Sequence, residues 1–247
     1  MINIVIPMAG LGSRFANAGY TLPKPLIDVC GMPMIKVVVD NLKPKQEHRF
    51  IFICQNDHIR RYCIDSMLKT LDSNVEVVGI DGVTEGQLCT VLEAKSFFDD
   101  NTPVLTANSD QYIDFDINNF LKSAEYFDGY IMTMKSTDPK WSYAKVDMNG
   151  IVTETAEKKV ISDEATVGIF YFSSGAELVS CGEAMIADGV RVNNEFYTCP
   201  VYNYMIKKGA KVGIYNIGRE YDGMYGLGIP SDLEFFLNHP ISQKIRK

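Results

Sequence analysis

Ile2-Asn-Ile-Val-Ile-Pro7-Met-Ala-Gly10-Leu-Gly12-Ser13-Arg14-Phe15 reads as a short buried strand that runs straight into a glycine-bearing loop. Isoleucine and valine at four of residues 2–6 favour a pleated backbone. Glycines then let backbone N–H groups approach an anion closely, and the start of a following helix favours negative charge, so phosphate is the natural ligand. A dinucleotide fold wants a third glycine where Phe15 stands and an acidic residue ending the second strand, but that strand ends in Cys54-Gln55-Asn56. No Gly-Lys-Ser/Thr follows the glycines either, so the Walker pattern is absent. Arg14 is left over by both alternatives. Its guanidinium can grip two phosphate oxygens at once, or it can be a solvated arginine at a helix start.

Working outward, apolar and β-branched runs at residues 50–54, 75–80 and 104–107 are each the length of a buried strand. Between them, residues 37–42, 59–71 and 88–98 carry apolar side chains at helical spacing, which implies βαβ units and a parallel sheet. After Asp110 the rhythm changes, with strands predicted at 129–134, 143–146, 151–155, 166–172 and 212–217, fewer helices between them, and a helix at 196–208. Asp147-Met-Asn-Gly150 fits a hairpin turn, because Asn-Gly accepts positive φ cheaply. The expected fold is α/β: a Rossmann-like, three-layer αβα arrangement around a central, mostly parallel mixed sheet. We expect one domain over residues 1–247, with a nucleotide-binding half of about 1–110 and an acceptor-binding half of about 111–247.

With 46% hydrophobic residues in 247, the chain can bury a sizeable core as one such domain. A net charge of −7 argues against a general nucleic-acid or membrane-surface binder, since phosphate backbones and anionic lipids repel such a surface. The first residues lack the basic head and long apolar stretch of a signal peptide, so a cytoplasmic location is expected. Six cysteines contain no Cys-x-x-Cys pair and are read as buried free thiols.

Two further positions carry chemistry. Thr21-Leu-Pro23-Lys24-Pro25-Leu26 sets a lysine between two prolines, which stiffen the loop and reduce the entropy lost in holding Lys24 in place; the plain alternative is a surface turn. Strand 104–107 runs into Asn108-Ser109-Asp110, placing Asp110 at the carboxyl end of a central strand, where open α/β sheets gather ligands. A carboxylate there suits Mg2+, which takes few protein oxygens and several from phosphate or water; the alternative is an aspartate capping the next turn.

Met8-Ala-Gly-Leu-Gly-Ser-Arg14, Pro23-Lys-Pro-Leu-Ile27 and Gly31-Met-Pro-Met-Ile35 together resemble the sugar-phosphate nucleotidyltransferases, or NDP-sugar pyrophosphorylases. The resemblance implies a GT-A-like Rossmann core and the reaction of an NTP with a sugar 1-phosphate to give an NDP-sugar and pyrophosphate. Such products serve nucleotide-sugar biosynthesis and capsule or polysaccharide precursors. It places the NTP on Met8, Ala9, Gly10, Gly12 and Ser13, with Arg14 by the β- and γ-phosphates, Lys24 by the α-phosphate and Mg2+ on Asp110.

Further along, Glu154-Thr-Ala-Glu157-Lys158-Lys159 resembles the family's Glu-Lys-Pro, whose lysine binds the acceptor phosphate, with Lys158 the better match and Lys159 standing in for proline. Gly168 matches a strand glycine against which substrate lies, and Glu195 meets substrate hydroxyls or favours a helix start. Tyr143-Ala144 stands where Tyr-Gly is usual, an altered pocket floor. The family's second metal aspartate, in Asp-x-Gly-Thr-Pro, falls on Gly226 of Gly226-Leu-Gly228-Ile-Pro230, with Asp222 a replacement candidate. Asp81-Gly-Val-Thr-Glu85-Gly86 resembles the base-reading turn. An ionised Asp81 only accepts hydrogen bonds, which favours CTP or GTP over UTP or dTTP; the alternative is an Asp81 that simply faces solvent.

Two rivals share these features. A GT-A glycosyltransferase using an NDP-sugar keeps the strand-end aspartate but has no use for Arg14 and Lys24 together, and a catalytically silent binding domain is argued for by Gly226. The expected partners are an NTP and a small phosphorylated metabolite, with a homo-oligomer allowed.

Overall fold

The structure, a computed structural model, describes residues 1–246. Its first half alternates β1 (Ile2–Pro7), α1 (Ser13–Asn17), a small hairpin of β2 (Asp28–Val29) and β3 (Met32–Pro33), α2 (Met34–Leu42), β4 (His48–Gln55), α3 (Asn56–Tyr62), α4 (Ile64–Leu68), β5 (Val75–Ile80), α5 (Gln87–Leu92) and β6 (Val104–Ala107). The second half adds β7 (Gln111–Ile113), α6 (Ile117–Ala124), β8 (Gly129–Lys135), β9 (Tyr143–Val146), β10 (Val152–Ala156), β11 (Glu164–Phe172), α7 (Gly175–Ala187), α8 (Val201–Lys207), β12 (Val212–Glu220), β13 (Gly223–Gly226) and α9 (Pro230–Asn238).

Strands β5, β4, β1 and β6 lie side by side and parallel; β1, β4 and β6 are the apolar runs buried on both faces that such a sheet requires, and β5 is its half-buried edge. The order runs leftward from β1 to β5 and then restarts at β6, so the chain reverses direction between β1 and β6. A crevice opens at the carboxyl ends of strands flanking such a switch point. Beyond β6 the sheet turns mixed: β11 is antiparallel to β6 and β8, whereas β12 is parallel to β8. The sheet reaches eleven strands, with β13 and β7 closing its far edge.

Alternate side chains of β1 feed opposite faces, Ile4 and Ile6 towards α2, α4 and α6, and Val5 towards α5, α7 and α8. That is the three-layer sandwich. Each fully buried aliphatic side chain contributes about 1.5–3 kcal/mol to it. Helix α2 contains Val37, Val38 and Val39, poor helix formers that persist because all three are buried, Val38 and Val39 in the cluster under the sheet and Val37 in the cluster that holds α9. A third cluster packs Leu233 and Phe236 of α9 against Phe15, Ile27, Val29 and Met34, so the C-terminal helix holds up the segment that follows the glycine loop.

Several sequence-based boundaries shift. Predicted helix 59–71 is broken at Cys63, which adopts φ 49° between α3 and α4. The helix at 196–208 begins only at Val201, because Phe196 is drawn into backbone pairing with Glu85 and Leu88. Helices α6, α7 and α9 fill the half where few were expected. The hairpin at 147–150 is present, Gly150 taking φ 77° and Asp147 accepting from the amides of Asn149 and Ile151. Cys54, Cys181 and Cys199 are buried free thiols, but Cys63 is exposed. No helix of the described residues is long and apolar enough to cross a membrane.

Candidate active site

At the switch point lies a cleft of about 690 Å3. Its floor begins where β1 ends: Met8, Ala9, Gly10, Gly12, Ser13 and Arg14 line one side. The loop is pinned underneath by Gln55, whose Nε2 donates to the Ala9 carbonyl at 2.6 Å, and by the Met8 amide on Ile53. Gly12 takes φ 62°, a left-handed turn that glycine adopts without strain. No backbone acceptor among the described residues takes a hydrogen bond from the amides of residues 9–14. Those donors sit together at a cleft wall, as an anion cradle needs.

Lys24 and Asp110 meet beside this loop, Nζ to Oδ2 at 2.8 Å, each side chain about a quarter exposed (24% and 25%). They come from elements 86 residues apart, one on a proline-framed 3-10 turn and the other just past β6. Across from Asp110 is Gly228: a Cβ there would stand 2.4 Å from Asp110 Oδ2. Gly226, by contrast, faces Asp232, whose Oδ2 would lie 3.0 Å from a Cβ at 226. The glycine opposite the candidate metal ligand is therefore Gly228 rather than Gly226. Asp222 is corrected as well. It sits in the β12–β13 turn with its side chain 79% exposed, 3.7 Å from Arg219, outside the cleft lining. Among the described residues no group of three or more His, Cys, Asp or Glu could hold a metal. A single carboxylate still fits Mg2+ when phosphate oxygens complete the shell.

The opposite wall comes from the second half. Lys158 lines it with φ 52°, a left-handed conformation held by its amide on the Trp141 carbonyl at 3.1 Å. Its Nζ donates to the Tyr197 hydroxyl, which in turn donates to Glu195. Burial and the neighbouring Glu195 carboxylate push the Tyr197 phenol far above its ordinary range, so it stays protonated and can serve as that donor. Glu195 thus belongs to the cleft wall, and the helix-start role fails because α8 begins six residues later, at Val201. Glu157 is 9% exposed; burial raises its carboxyl above the usual glutamate range, opposed by the Ser142 hydroxyl that donates to it and by the Lys158 charge.

Glycines bring the walls together. Gly168 takes φ 75° and lies against Asn108, whose Nδ2 would be 2.0 Å from any Cβ. Asn108 accepts from Gln87 Nε2 at 2.7 Å and donates to Gln111. Gly86, at φ 134°, allows the Phe196 backbone within 2.4 Å of its missing Cβ, where Phe196 N donates to Glu85 O and Leu88 N donates to Phe196 O.

The loop, Lys24, Asp110, Gly86, Lys158, Gly168 and Glu195 all line one cleft, and Asp81 does not. Asp81 is exposed just beyond β5, its Oδ1 accepting from Asn56 Nδ2 at 3.0 Å, while Val83 and Thr84 line the cleft instead. Tyr143 and Ala144 are fully buried in β9, so the altered floor is formed by their neighbours Trp141 and Ser142. Sequence reasoning gave no role to Gln87, Asn108, Trp141, Ser142 and Tyr197, although each stands within two residues of a position it did single out: Gly86, Asp110, Tyr143, Ala144 and Glu195.

A family model described as nucleotidyl transferase matches residues 4–187, from β1 through α7. The chain belongs to the nucleotidyl transferase family. Among solved structures, this nucleotidyltransferase is similar to a nucleoside-diphosphate-sugar pyrophosphorylase from Vibrio cholerae, with a TM-score of 0.82, 26% identity, and coverage of 96% of this chain and 100% of that one. The inositol-1-phosphate CTP transferase from T. maritima shares the fold with a TM-score of 0.75 at 16% identity, over 98% of this chain and 93% of that chain. A UDP-glucose pyrophosphorylase from Acinetobacter baumanii does so at 0.72 and 17%, over 100% and 98%. No curated protein sequence matches the chain. The GT-A-like Rossmann arrangement implied by the sequence motifs is the fold of this enzyme.

Proposed function

We propose that this nucleotidyltransferase moves a nucleoside monophosphate from an NTP to a sugar 1-phosphate or a related phosphorylated metabolite, releasing pyrophosphate. The observation that carries the reading is the convergence on one cleft of a loop of unpaired amides, Arg14, the Lys24–Asp110 pair and, on the facing wall, Lys158. Neither rival uses all of them: transfer from an NDP-sugar needs no triphosphate cradle, and a silent binding domain needs no lysine set between two prolines.

In this reading the amides of residues 9–14 and the Arg14 guanidinium hold the outer phosphates. Lys24 neutralises charge that builds around the α-phosphate as an acceptor phosphate oxygen attacks in line. Lys158, held by Tyr197 and Glu195, binds the acceptor phosphate and fixes its approach. Asp110 would hold a magnesium ion, which when bound supplies charge neutralisation to the phosphates. No side chain need act as a covalent nucleophile.

A preference for CTP or GTP rests on Asp81 alone. Asp81 stands outside the cleft lining with its Oδ1 taken by Asn56, so the geometry lends that preference no support. The test is a pyrophosphate assay with each NTP, Mg2+ and a panel of phosphorylated sugars, polyols and amines. Release that requires both an NTP and one acceptor class is expected. No release with any pair, or release independent of acceptor, refutes the reading.

A further inference from the structure

In the cleft, Lys24 and Asp110 are each other's partners. Nζ lies 2.8 Å from Oδ2, and the two side chains are only about a quarter exposed, at 24% and 25%. The pair is built in from three directions. Pro23 and Pro25 stiffen the turn that carries Lys24; the glycine loop lies beside it, a Cβ added at Gly12 coming only into ordinary contact with Lys24 Cβ at 3.4 Å; and Gly228 leaves Asp110 its room. Asp110 is further tied by its carbonyl, which accepts from the Leu227 amide at 2.8 Å.

The proposed reaction asks both groups to serve elsewhere, Lys24 on phosphate and Asp110 on a divalent cation. In the proposed function this carboxylate is the cation's protein anchor, and in the structure an ammonium already neutralises it. We infer that Lys24 is a resident counter-ion for Asp110 that competes with the divalent ion for the carboxylate and moves to the triphosphate as the nucleotide enters. The inference rests on the proposed function. Its consequence is a coupling: phosphate draws Lys24 away and so raises metal affinity, and metal on Asp110 frees Lys24 and so raises nucleotide affinity by the same factor. The empty enzyme is thereby kept from taking up the metal before its substrate.

The test measures Mn2+ binding to the nucleotide-free protein by electron paramagnetic resonance, with no turnover involved. Weak binding is expected for the parent and for Lys24→Arg, which keeps the charge. Lys24→Met and Lys24→Gln should bind Mn2+ at least about tenfold more tightly, since removing a cation a few ångströms away relieves repulsion of that order even with solvent screening. In EDTA, Asp110→Asn should bind NTP more tightly than the parent, because its lysine is already free. Equal or weaker Mn2+ binding by both neutral variants, with parental circular dichroism, would overturn the inference: Lys24 and the metal would then share the carboxylate. A parent that binds no Mn2+ even with NTP present would instead overturn the site reading on which it rests.

Discussion

Replacing Gly228 by alanine tests the site through a single methyl group. The added Cβ would lie 2.4 Å from Asp110 Oδ2 and 3.1 Å from its Cγ, where ordinary contact begins at 3.4 Å, so the carboxylate must retreat by about 1 Å. Asp110 ends a side chain a quarter exposed (25%), and such a tip can move without dismantling the sheet. Folding stability should therefore fall by no more than about 1–3 kcal/mol, the usual range for overpacking. Turnover should suffer more. A misplacement of about 1 Å in a group that positions reacting phosphates costs on the order of 100-fold, or about 2.7 kcal/mol of barrier. The assay is pyrophosphate release with the best NTP and acceptor pair, alongside thermal unfolding. Gly226→Ala is the control, since its Cβ would meet Asp232 Oδ2 at 3.0 Å on a different carboxylate and should leave turnover within about threefold. Parental turnover in Gly228→Ala would refute the assignment of Asp110 to the chemistry.

Lys24→Ala should keep the circular dichroism spectrum and lose most turnover, and unchanged turnover would remove Lys24 from the mechanism. Gly168→Ala combines a left-handed backbone at φ 75° with a Cβ 2.0 Å from Asn108, so urea unfolding should show a loss of about 2–4 kcal/mol, whereas a loss below about 1 kcal/mol would mean that Asn108 moves freely. For Glu157 burial raises the folded pKa above the ordinary 4.5, so its contribution to stability is fully present below that value and is lost as pH rises through the folded pKa. Thermal unfolding of Glu157→Gln against the parent should accordingly show the variant gaining relative stability as pH increases above 4.5; a gap constant with pH argues against the shift. Asp81→Asn should leave the nucleotide preference unchanged in a nucleotide panel, since Asp81 lies outside the cleft, and a changed preference would bring Asp81 back into base reading.

Sequence periodicity located the parallel half of the sheet because β1, β4 and β6 are buried on both faces, and nothing but a long apolar run can occupy such a place. It also located Lys24 and Asp110, since prolines and strand ends are local signals. The facing wall was harder to read. Tyr197 belongs to the site because Phe196 beside it pairs with Glu85, a backbone contact across more than a hundred residues that leaves no mark in local composition. Trp141 and Ser142 were passed over in favour of Tyr143 and Ala144 because they stand in the segment just before β9, whose first two residues are wholly buried, and motif spacing alone does not resolve a shift of that size. The split of predicted helix 59–71 at Cys63 was equally hidden, as a cysteine at positive φ carries no glycine to announce it.

The backbone bonds between Glu85, Leu88 and Phe196 carry one more consequence. They stitch the nucleotide side of the cleft to the acceptor side through main-chain atoms, and the bare Cα of Gly86 is what lets the two strands of chain touch. The acceptor wall is therefore not an exchangeable module. A graft of residues 190–200 from another enzyme, made to change what is activated, would carry its own peptide geometry into the turn beside the nucleotide. Selectivity for one substrate would then be inherited together with some part of the affinity for the other.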